Sequence, residues 1–159
     1  RDIPFPSRPE SFQLDPNGSR VFANLPKGVR VVEDGKVAVA DRQTGKTLAM
    51  IPLPGLARNF PMAFDAANQR LVIACRRPAR LVVIDTRRNT VIAEAPCTDD
   101  SDDLFYDAAS GRVLVLDGAH QALLQHILSQ RVIRDAATNK GPEGRLLGQQ
   151  RLQDLLPFH

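Results

Sequence analysis

The segment from Met62 to Cys97, which reads MAFDAANQRLVIACRRPARLVVIDTRRNTVIAEAPC, decides the fold. Polar or turn-forming breaks divide it into four short apolar runs: Met62–Phe64, Leu71–Ala74, Leu81–Ile84 and Thr90–Ala95. Each run has the length of a β-strand and is too short for a helix. The segment therefore predicts a four-stranded antiparallel meander.

An internal repeat extends this pattern along the chain. Three segments share an Asp that is followed five residues later by an Arg: Asp15 and Arg20, Asp65 and Arg70, Asp107 and Arg112. A second repeat interleaves with the first, because Lys36–Lys46 matches Arg80–Thr90. In this second repeat Gly45 and Asn89 stand where a tight turn needs a left-handed backbone. Both repeats are therefore predicted to be β-hairpins, and the recurring Asp and Arg to have a structural role.

A repeat of roughly 40–50 residues with four strands per unit indicates β-propeller blades. The sequence thus predicts an all-β fold with blades at about 10–55, 60–98 and, in part, 102–118. The third blade stops after its second strand, so the ring is predicted to be incomplete. Closed propellers typically have about 4–8 blades.

The repeat resembles the YVTN-type β-propeller repeat of the YncE-like bacterial proteins. The matching residues lie between Pro9 and Asp117: Asp15–Gly18, Val21–Asn24, Val37–Asp41, Thr44–Lys46 and Leu81–Thr86. The resemblance implies a propeller that acts in binding, in the periplasm or outside the cell. It implies no particular ligand.

Two segments depart from the repeat. The first blade has extra residues at 29–35, which predict a protruding loop or a longer hairpin. After Asp117, apolar residues recur at helical spacing, which predicts an amphipathic helix over Ala119–Ala136. A loop at 138–144 and a second short helix at 146–156 are predicted to follow. The domain prediction is a partial propeller over 1–118 and a helical tail over 119–159.

Three explanations for an incomplete ring remain open. The chain is a piece of a longer product that supplies the missing blades, which is the favoured explanation. Alternatively, another copy or another chain supplies them, or the helical tail covers the open sheets. In each case something has to pair with the free sheet edges and cover the bare apolar faces that an incomplete ring leaves.

The connections after the second and fourth strand of each blade are expected on one face, which we call the loop face. Binding residues are usually held on such loops by a rigid scaffold. The tight hairpins lie on the opposite face, which we call the hairpin face. The candidate ligand-binding residues of the loop face are Glu10, Arg58, Asn59, Arg76, Arg77, Asp102 and Asp103.

The segment Thr98–Asp103 is the sharpest chemical feature. Four carboxylates within it could bind a hard cation such as Ca²⁺ through oxygen ligands: Asp99, Asp100, Asp102 and Asp103. The spacing does not match an EF-hand. The simpler interpretation is an acidic loop that pairs with the facing Arg58, Arg76 and Arg77. Arg76 and Arg77 could instead hold a phosphate or carboxylate ligand.

These features favour a non-enzymatic binding or scaffold module for a protein or small-molecule ligand. One alternative is a fragment of an enzyme-like propeller, of the haem type or of the Ca²⁺-dependent hydrolase type. In the latter, Glu10, Asn59 and Asp102 or Asp103 would line one channel mouth. A second alternative, nucleic-acid binding through the Arg-rich loops, is compatible with a net charge of +3. No catalytic motif and no run of about 20 apolar residues is present.

Cys75 and Cys97 end the second and fourth runs of the meander. They have no nearby His that would complete a zinc site. Second and fourth strands of a sheet are not neighbours, and two inter-strand spacings of about 4.8 Å exceed the reach of a disulfide. We therefore expect two buried free thiols.

Overall fold

The computed structural model describes residues 2–26 and 34–118 and, for the backbone alone, 122–126. These residues form strands and turns, without a helix. The strands are β1 (Phe12–Leu14), β2 (Arg20–Leu25), β3 (Gly35–Asp41), β4 (Thr47–Leu53), β5 (Ala57–Asp65), β6 (Arg70–Arg77), β7 (Ala79–Asp85), β8 (Thr90–Pro96), β9 (Ser101–Asp107), β10 (Arg112–Asp117) and β11 (Ala122–His126).

The strands form three antiparallel sheets in which sequence neighbours are paired. The first sheet has the order β1-β2-β3-β4, the second β5-β6-β7-β8 and the third β9-β10-β11. All four apolar runs of the deciding segment lie within strands of the second sheet. The predictions of an all-β fold and of four-stranded meanders are therefore confirmed.

The predicted turns of the second repeat are also confirmed. The Asp41 carboxylate accepts hydrogen bonds from the backbone N–H groups of Gln43 and Thr44, at 2.9 and 2.7 Å. The backbone of Gly45 has a φ of 75° and that of Asn89 a φ of 54°. Gly tolerates this left-handed conformation without steric cost and Asn tolerates it better than most residues, which explains their places in the repeat.

Two apolar clusters hold the three sheets together. One lies between the first and second sheets, with Phe22, Val39 and Ile51 facing Leu71 and Ile73. The other joins the second sheet to the third and contains Val72, Leu81, Val83, Leu104 and Val115. Strands β6 and β7 are apolar on both faces because the second sheet is covered on both sides.

Strand β11 corrects the prediction of a helix over Ala119–Ala136. Its backbone pairs with β10, and Leu116 faces Leu123 in the ladder. The apolar residues near 123–128 fit a helix by spacing, but the free edge of β10 offers backbone hydrogen bonds to a third strand. The third sheet consequently extends beyond residue 118, the predicted domain boundary. The rest of the predicted tail, including 138–144 and 146–156, lies outside the described residues, as do residues 29–33 of the first-blade insertion.

Both cysteines are free thiols, but the expectation that both are buried is met by Cys75 alone. Cys75 is fully buried between the first and second sheets. Cys97 is only partly buried, and it packs against the cluster on the other side of the second sheet. The two side chains therefore lie on opposite faces of one sheet. Within the described residues, no helix has the length and apolarity needed to cross a membrane.

Candidate functional site

The loop face is built by the connections β2–β3, β4–β5, β6–β7 and β8–β9. Because each sheet is an antiparallel meander, these connections leave the same end of the strands. The inner strand β5 contacts both β1 and β9, which brings the three sheets side by side. The candidate residues thus come from neighbouring loops of one scaffold.

Arg76, at the end of β6, joins the second sheet to the third. Its guanidinium donates hydrogen bonds to the backbone oxygen of Ser101 at 3.0 Å and to Asp102 at 2.5 Å. It also forms an ion pair with Asp100 at 2.9 Å, and it lies 5.0 Å from the ring centre of Phe60. The predicted pairing of the acidic segment with a facing arginine is therefore confirmed for Arg76.

This arrangement changes what Arg76 can bind. A phosphate or carboxylate ligand would have to displace two carboxylates and a backbone oxygen from its guanidinium. The same two aspartates offset its positive charge, which disfavours nucleic-acid binding at this loop. Binding of an external ligand through Arg76 stays a prediction.

The other charged candidates project from the loop face. Glu10, Arg77, Asp99 and Asp103 are exposed, whereas Arg58 is half-buried. The backbone of Arg58 has a φ of 56°, which is unusual for a residue other than glycine. Within residues 2–26 and 34–118, the side chains of Arg77, Asp99 and Asp103 make no ion pair or hydrogen bond. Charges of both signs are therefore free to meet a partner.

Asn59 differs from the other candidates because it is fully buried. Its Nδ2 donates to Asn24 Oδ1 and to the backbone oxygen of Lys36, each at 3.0 Å. Asn24 in turn donates to the backbone oxygen of Phe60 at 3.1 Å. Its amide therefore joins the first two sheets, and a place for Asn59 at a channel mouth with acidic residues stays a prediction.

The acidic segment is arranged around Arg76 rather than around a central point. Asp100 and Asp102 point to the guanidinium, and Asp99 is exposed. Among the described residues, no three His, Cys, Asp or Glu side chains are grouped as metal ligands. Calcium binding by Asp99, Asp100, Asp102 and Asp103 stays a prediction.

Sequence reasoning missed a second buried polar group beneath the acidic segment. Ser101 and Asp117 are buried, and the Thr98 hydroxyl donates a hydrogen bond to the Asp117 carboxylate. Ser101 Oγ donates to the backbone oxygen of Thr98 at 3.1 Å. Ser101 occupies the same place in β9 that Asn59 occupies in β5, opposite the last residues of the next strand. The equivalent positions of Ser101 and Asn59 in the repeat are the sequence signal that could have identified both buried polar groups.

On the hairpin face, Arg20 joins the first sheet to the second. Its guanidinium donates to the Asp15 carboxylate at 2.8 Å, to Gln69 Oε1 at 2.6 Å and to the backbone oxygen of Thr86 at 2.6 Å. The aspartates of this face are engaged in turns, as Asp85 and Asp107 show by accepting backbone N–H groups. Each face therefore has one arginine that joins two sheets, and on the hairpin face the aspartates of the turns are engaged as well.

The three sheets define a β-propeller fold, and solved structures agree. The chain is similar to the RRP9 WD40 repeats, with a TM-score of 0.60, 14% identity, and coverage of 82% of this chain and 42% of that one. It is similar to the Cps50 (Swd1) β-propeller domain of Myceliophteria thermophila, with a TM-score of 0.52, 9% identity, and coverage of 82% and 43%.

Hydrazine synthase of Kuenenia stuttgartiensis is a third similar structure, with a TM-score of 0.55, 17% identity, and coverage of 74% of this chain and 34% of that one. The chain thus spans 34% to 43% of the length of these structures. At these sequence identities the similarity shows the fold alone. The three described sheets correspond to part of a propeller. No family model matches the chain, and no curated protein matches it.

Proposed function

We propose that this chain is a non-enzymatic binding module that recognises a protein partner through its loop face. The observation that carries the proposal is a difference between the aspartates of the two faces. Those of the hairpin face accept backbone hydrogen bonds, whereas Asp99 and Asp103 of the loop face are exposed and do not. On the hairpin face, carboxylates and Arg20 are engaged in turns and in contacts between sheets. On the loop face, Arg77 and Asp99 are exposed without a side-chain partner among the described residues.

The chemistry of the loop face suits a protein surface better than a polyanion. Exposed groups of both signs lie on neighbouring loops of one face, so a partner with complementary charges can be oriented without a strong net field. The buried amide of Asn59 and the Arg76 contacts fix the loops at their bases. Such rigid bases reduce the ordering cost of binding.

Two charge-matched variants test this proposal. Arg77→Ala with Asp99→Asn removes exposed charges from the loop face, whereas Arg88→Ala with Glu94→Gln removes the same charges elsewhere. Proteins cross-linked to each variant would be quantified by mass spectrometry against the unmodified chain. We expect the loop-face variant to lose its specific partners by roughly tenfold, as for interface residues of ordinary importance. Equal losses for both variants would contradict the proposal.

The same proposal includes the resemblance of this chain to the YVTN-type repeat proteins. The segments Val37–Asp41 and Leu81–Thr86 support it, and with it a role in the periplasm or at the cell surface. Fractionation of cells that produce the full gene product would check the location. Recovery of the protein with cytoplasmic markers would contradict it.

A further inference from the structure

The described turns of the hairpin face expose cationic side chains and no acidic ones. The turns at 15–20, 41–46, 65–70, 85–90 and 107–112 contain five aspartates and seven arginine or lysine residues. Every one of these aspartates is buried or half-buried. Five of the cationic side chains are exposed: Arg42, Lys46, Arg87, Arg88 and Arg112. The loop face exposes charges of both signs, so the hairpin face has an electrostatic character of its own.

The aspartates are withdrawn from the surface because they bond to the backbone of their own turns. Asp41 and Asp85 each accept N–H groups from residues two and three positions later. The surplus of positive charge comes from these two turns, since 41–46 and 85–90 each contain two cationic residues and one aspartate. The other three turns contain one arginine and one aspartate each.

The cationic side chains of the two turns keep donors for an external partner. Arg42 and Arg87 each donate one hydrogen bond to a backbone oxygen of the neighbouring turn, at 2.9 and 3.4 Å. A guanidinium group has five N–H donors, so most of them remain available. Within residues 2–26 and 34–118, the side chains of Lys46 and Arg88 make no hydrogen bond or ion pair.

The five turns form an even surface because they have the same length. Each turn closes between an aspartate and the residue five positions later, through a backbone hydrogen bond or as a ladder pair. These closing pairs are Asp15 and Arg20, Asp41 and Lys46, Asp65 and Arg70, Asp85 and Thr90, and Asp107 and Arg112. No described turn is therefore longer than its neighbours.

Neighbouring sheets are also level with one another. Gln13 in the first sheet donates to the backbone oxygen of Met62 in the second, at 3.0 Å. These two residues are 49 positions apart, close to the 50 positions between the turn residues Asp15 and Asp65. Tyr106, one residue before the turn of the third sheet, forms a hydrogen bond with Asp65. Equivalent residues thus lie at nearly the same height, and the turns of the three sheets end at one level.

Such a surface suits a plane of anionic headgroups better than a nucleic acid. Proteins that bind single strands stack the bases on aromatic side chains, and the five turns contain no aromatic residue. Proteins that read a duplex place a helix or strand in a groove, whereas these turns end at one level. A level array of separate cationic groups can contact many lipid phosphates at once.

We propose that the hairpin face binds the surface of an anionic phospholipid bilayer. Arginine side chains pair well with phosphate oxygens, and each arginine or lysine near an anionic bilayer adds to the affinity. The five turns contain no large apolar residue, so the contact stays at the level of the headgroups. The loop face then points away from the bilayer. This inference does not depend on the protein partner proposed for that face.

The first experiment measures binding of the full gene product to lipid vesicles by co-sedimentation. We expect binding to vesicles of mixed phosphatidylcholine and phosphatidylglycerol, and none to phosphatidylcholine alone. Added salt should weaken the binding, because it screens exposed charges. Absence of binding to the mixed vesicles, or equal binding to both kinds, would overturn the proposal.

A pair of charge-matched variants identifies the surface. Lys46→Gln with Arg88→Gln should lower the affinity for mixed vesicles by roughly 30-fold, as the loss of two cationic groups near a bilayer predicts. Arg8→Gln with Lys36→Gln removes the same charges from exposed residues on the loop-face side of the first sheet, and should bind as the unmodified protein does. Circular dichroism checks that both variants are folded. Equal affinities of the two variants would show that the hairpin face is not the lipid-binding surface.

The same variants distinguish a bilayer from a nucleic acid. Retention on single-stranded and duplex DNA would be measured at the salt concentrations of the vesicle assay. If the hairpin-face variant loses retention on DNA while its binding to vesicles is unchanged, the surface binds nucleic acid and the proposal is wrong. The Arg77→Ala with Asp99→Asn variant should keep its binding to vesicles, so failure of the loop-face proposal and failure of this one are separate outcomes.

Discussion

Gly35 lies at a point of the loop face that has no room for a side chain. A Cβ atom there would lie 2.1 Å from Asn59 Oδ1 and 3.3 Å from the backbone oxygen of Leu56. Asn59 cannot move away without weakening its hydrogen bonds to Asn24 and Lys36. We expect Gly35→Ala to lower the free energy of unfolding by about 1–3 kcal/mol, as overpacking usually does. Urea unfolding followed by circular dichroism measures this change.

Gly18→Ala is the matched control. A Cβ atom at Gly18 would have its nearest neighbour, Asp15 Oδ2, at 3.4 Å, which is an ordinary contact distance. Gly18 is also exposed, so the substitution should change the free energy of unfolding by no more than about 0.5 kcal/mol. Similar losses for the two variants would show that the contact between Gly35 and Asn59 is not the cause.

Asp41 predicts how stability depends on pH. The hydrogen bond from Ser19 and the backbone N–H groups of Thr44 and Gln43 lower the pKa of Asp41 from 3.8 to about 2. Because the folded chain holds this carboxylate ionised, its contribution to stability is complete above the ordinary pKa. The contribution is lost as pH falls from about 4 to about 2. Melting temperatures over this pH range measure the loss.

Ser19→Ala tests the cause. Removing the hydroxyl should raise the pKa of Asp41 towards its ordinary value and flatten the loss of stability in acid. Carbon NMR of the Asp41 carboxyl group follows the pKa directly. Thr90→Ala, which removes an exposed hydroxyl far from Asp41, should leave it unchanged. An unchanged Asp41 pKa in the Ser19 variant would refute the assignment.

At the scale of the elements, Arg20 joins strand β2 to turns of the next sheet. It neutralises Asp15, whose side chain is only 5% exposed, and it binds Gln69 and Thr86. Arg20→Ala would leave the Asp15 carboxylate buried without its counter-ion. Hydrogen bonds to charged groups contribute about 1.5–3 kcal/mol each when one partner is lost. We expect a loss of about 2 kcal/mol in the free energy of unfolding, measured by urea titration.

The control for Arg20 is Arg42, which is exposed and donates to the backbone oxygen of Gly18 at 2.9 Å. Arg42→Ala should cost less than about 1 kcal/mol. If both variants lose the same free energy of unfolding, the contacts of Arg20 with the second sheet add nothing to stability beyond what an exposed arginine contributes.

Elements were predictable where their determinants are local. The turn at Asp41–Gly45 was predicted because a capping carboxylate and a residue that tolerates positive φ lie within five positions. Strand β11 was not, because the spacing of its apolar residues also fits a helix. The choice between the two depends on the free edge of β10, which is a tertiary feature.

At the scale of the whole molecule, the contacts between sheets were the least predictable. The repeat indicated that blades lie side by side, and it correctly assigned Asp15 and Arg20 a structural role. It did not show that Arg20 reaches Thr86 or that Asn59 turns inward to Asn24. Such contacts join residues about 35 to 66 positions apart and depend on the packing angle of two sheets. For this reason the sequence alone does not distinguish the buried Asn59 from the exposed Arg77.

Cys75 provides a probe of the whole fold because it lies between two sheets. Burial, together with the nearby Glu94 and Cys97, raises the pKa of its thiol to about 12. The thiolate is the reactive form, so Cys75 should be protected from alkylation until the sheets separate. Cys97 is partly exposed and should be labelled in the folded chain. Mass spectrometry after brief iodoacetamide treatment should therefore find one label in buffer and two in denaturant.

The labelling rate of Cys75 then reports how often the first two sheets open. Cys97→Ser should remove the label found in buffer and leave the second label dependent on denaturant. Gly35→Ala and Arg20→Ala both weaken contacts between these sheets, so each should speed the labelling of Cys75. If the separation of the sheets is global, each rate should rise by the factor that corresponds to its loss of unfolding free energy. Rapid labelling of Cys75 in the unmodified chain would mean that the first two sheets are not packed together.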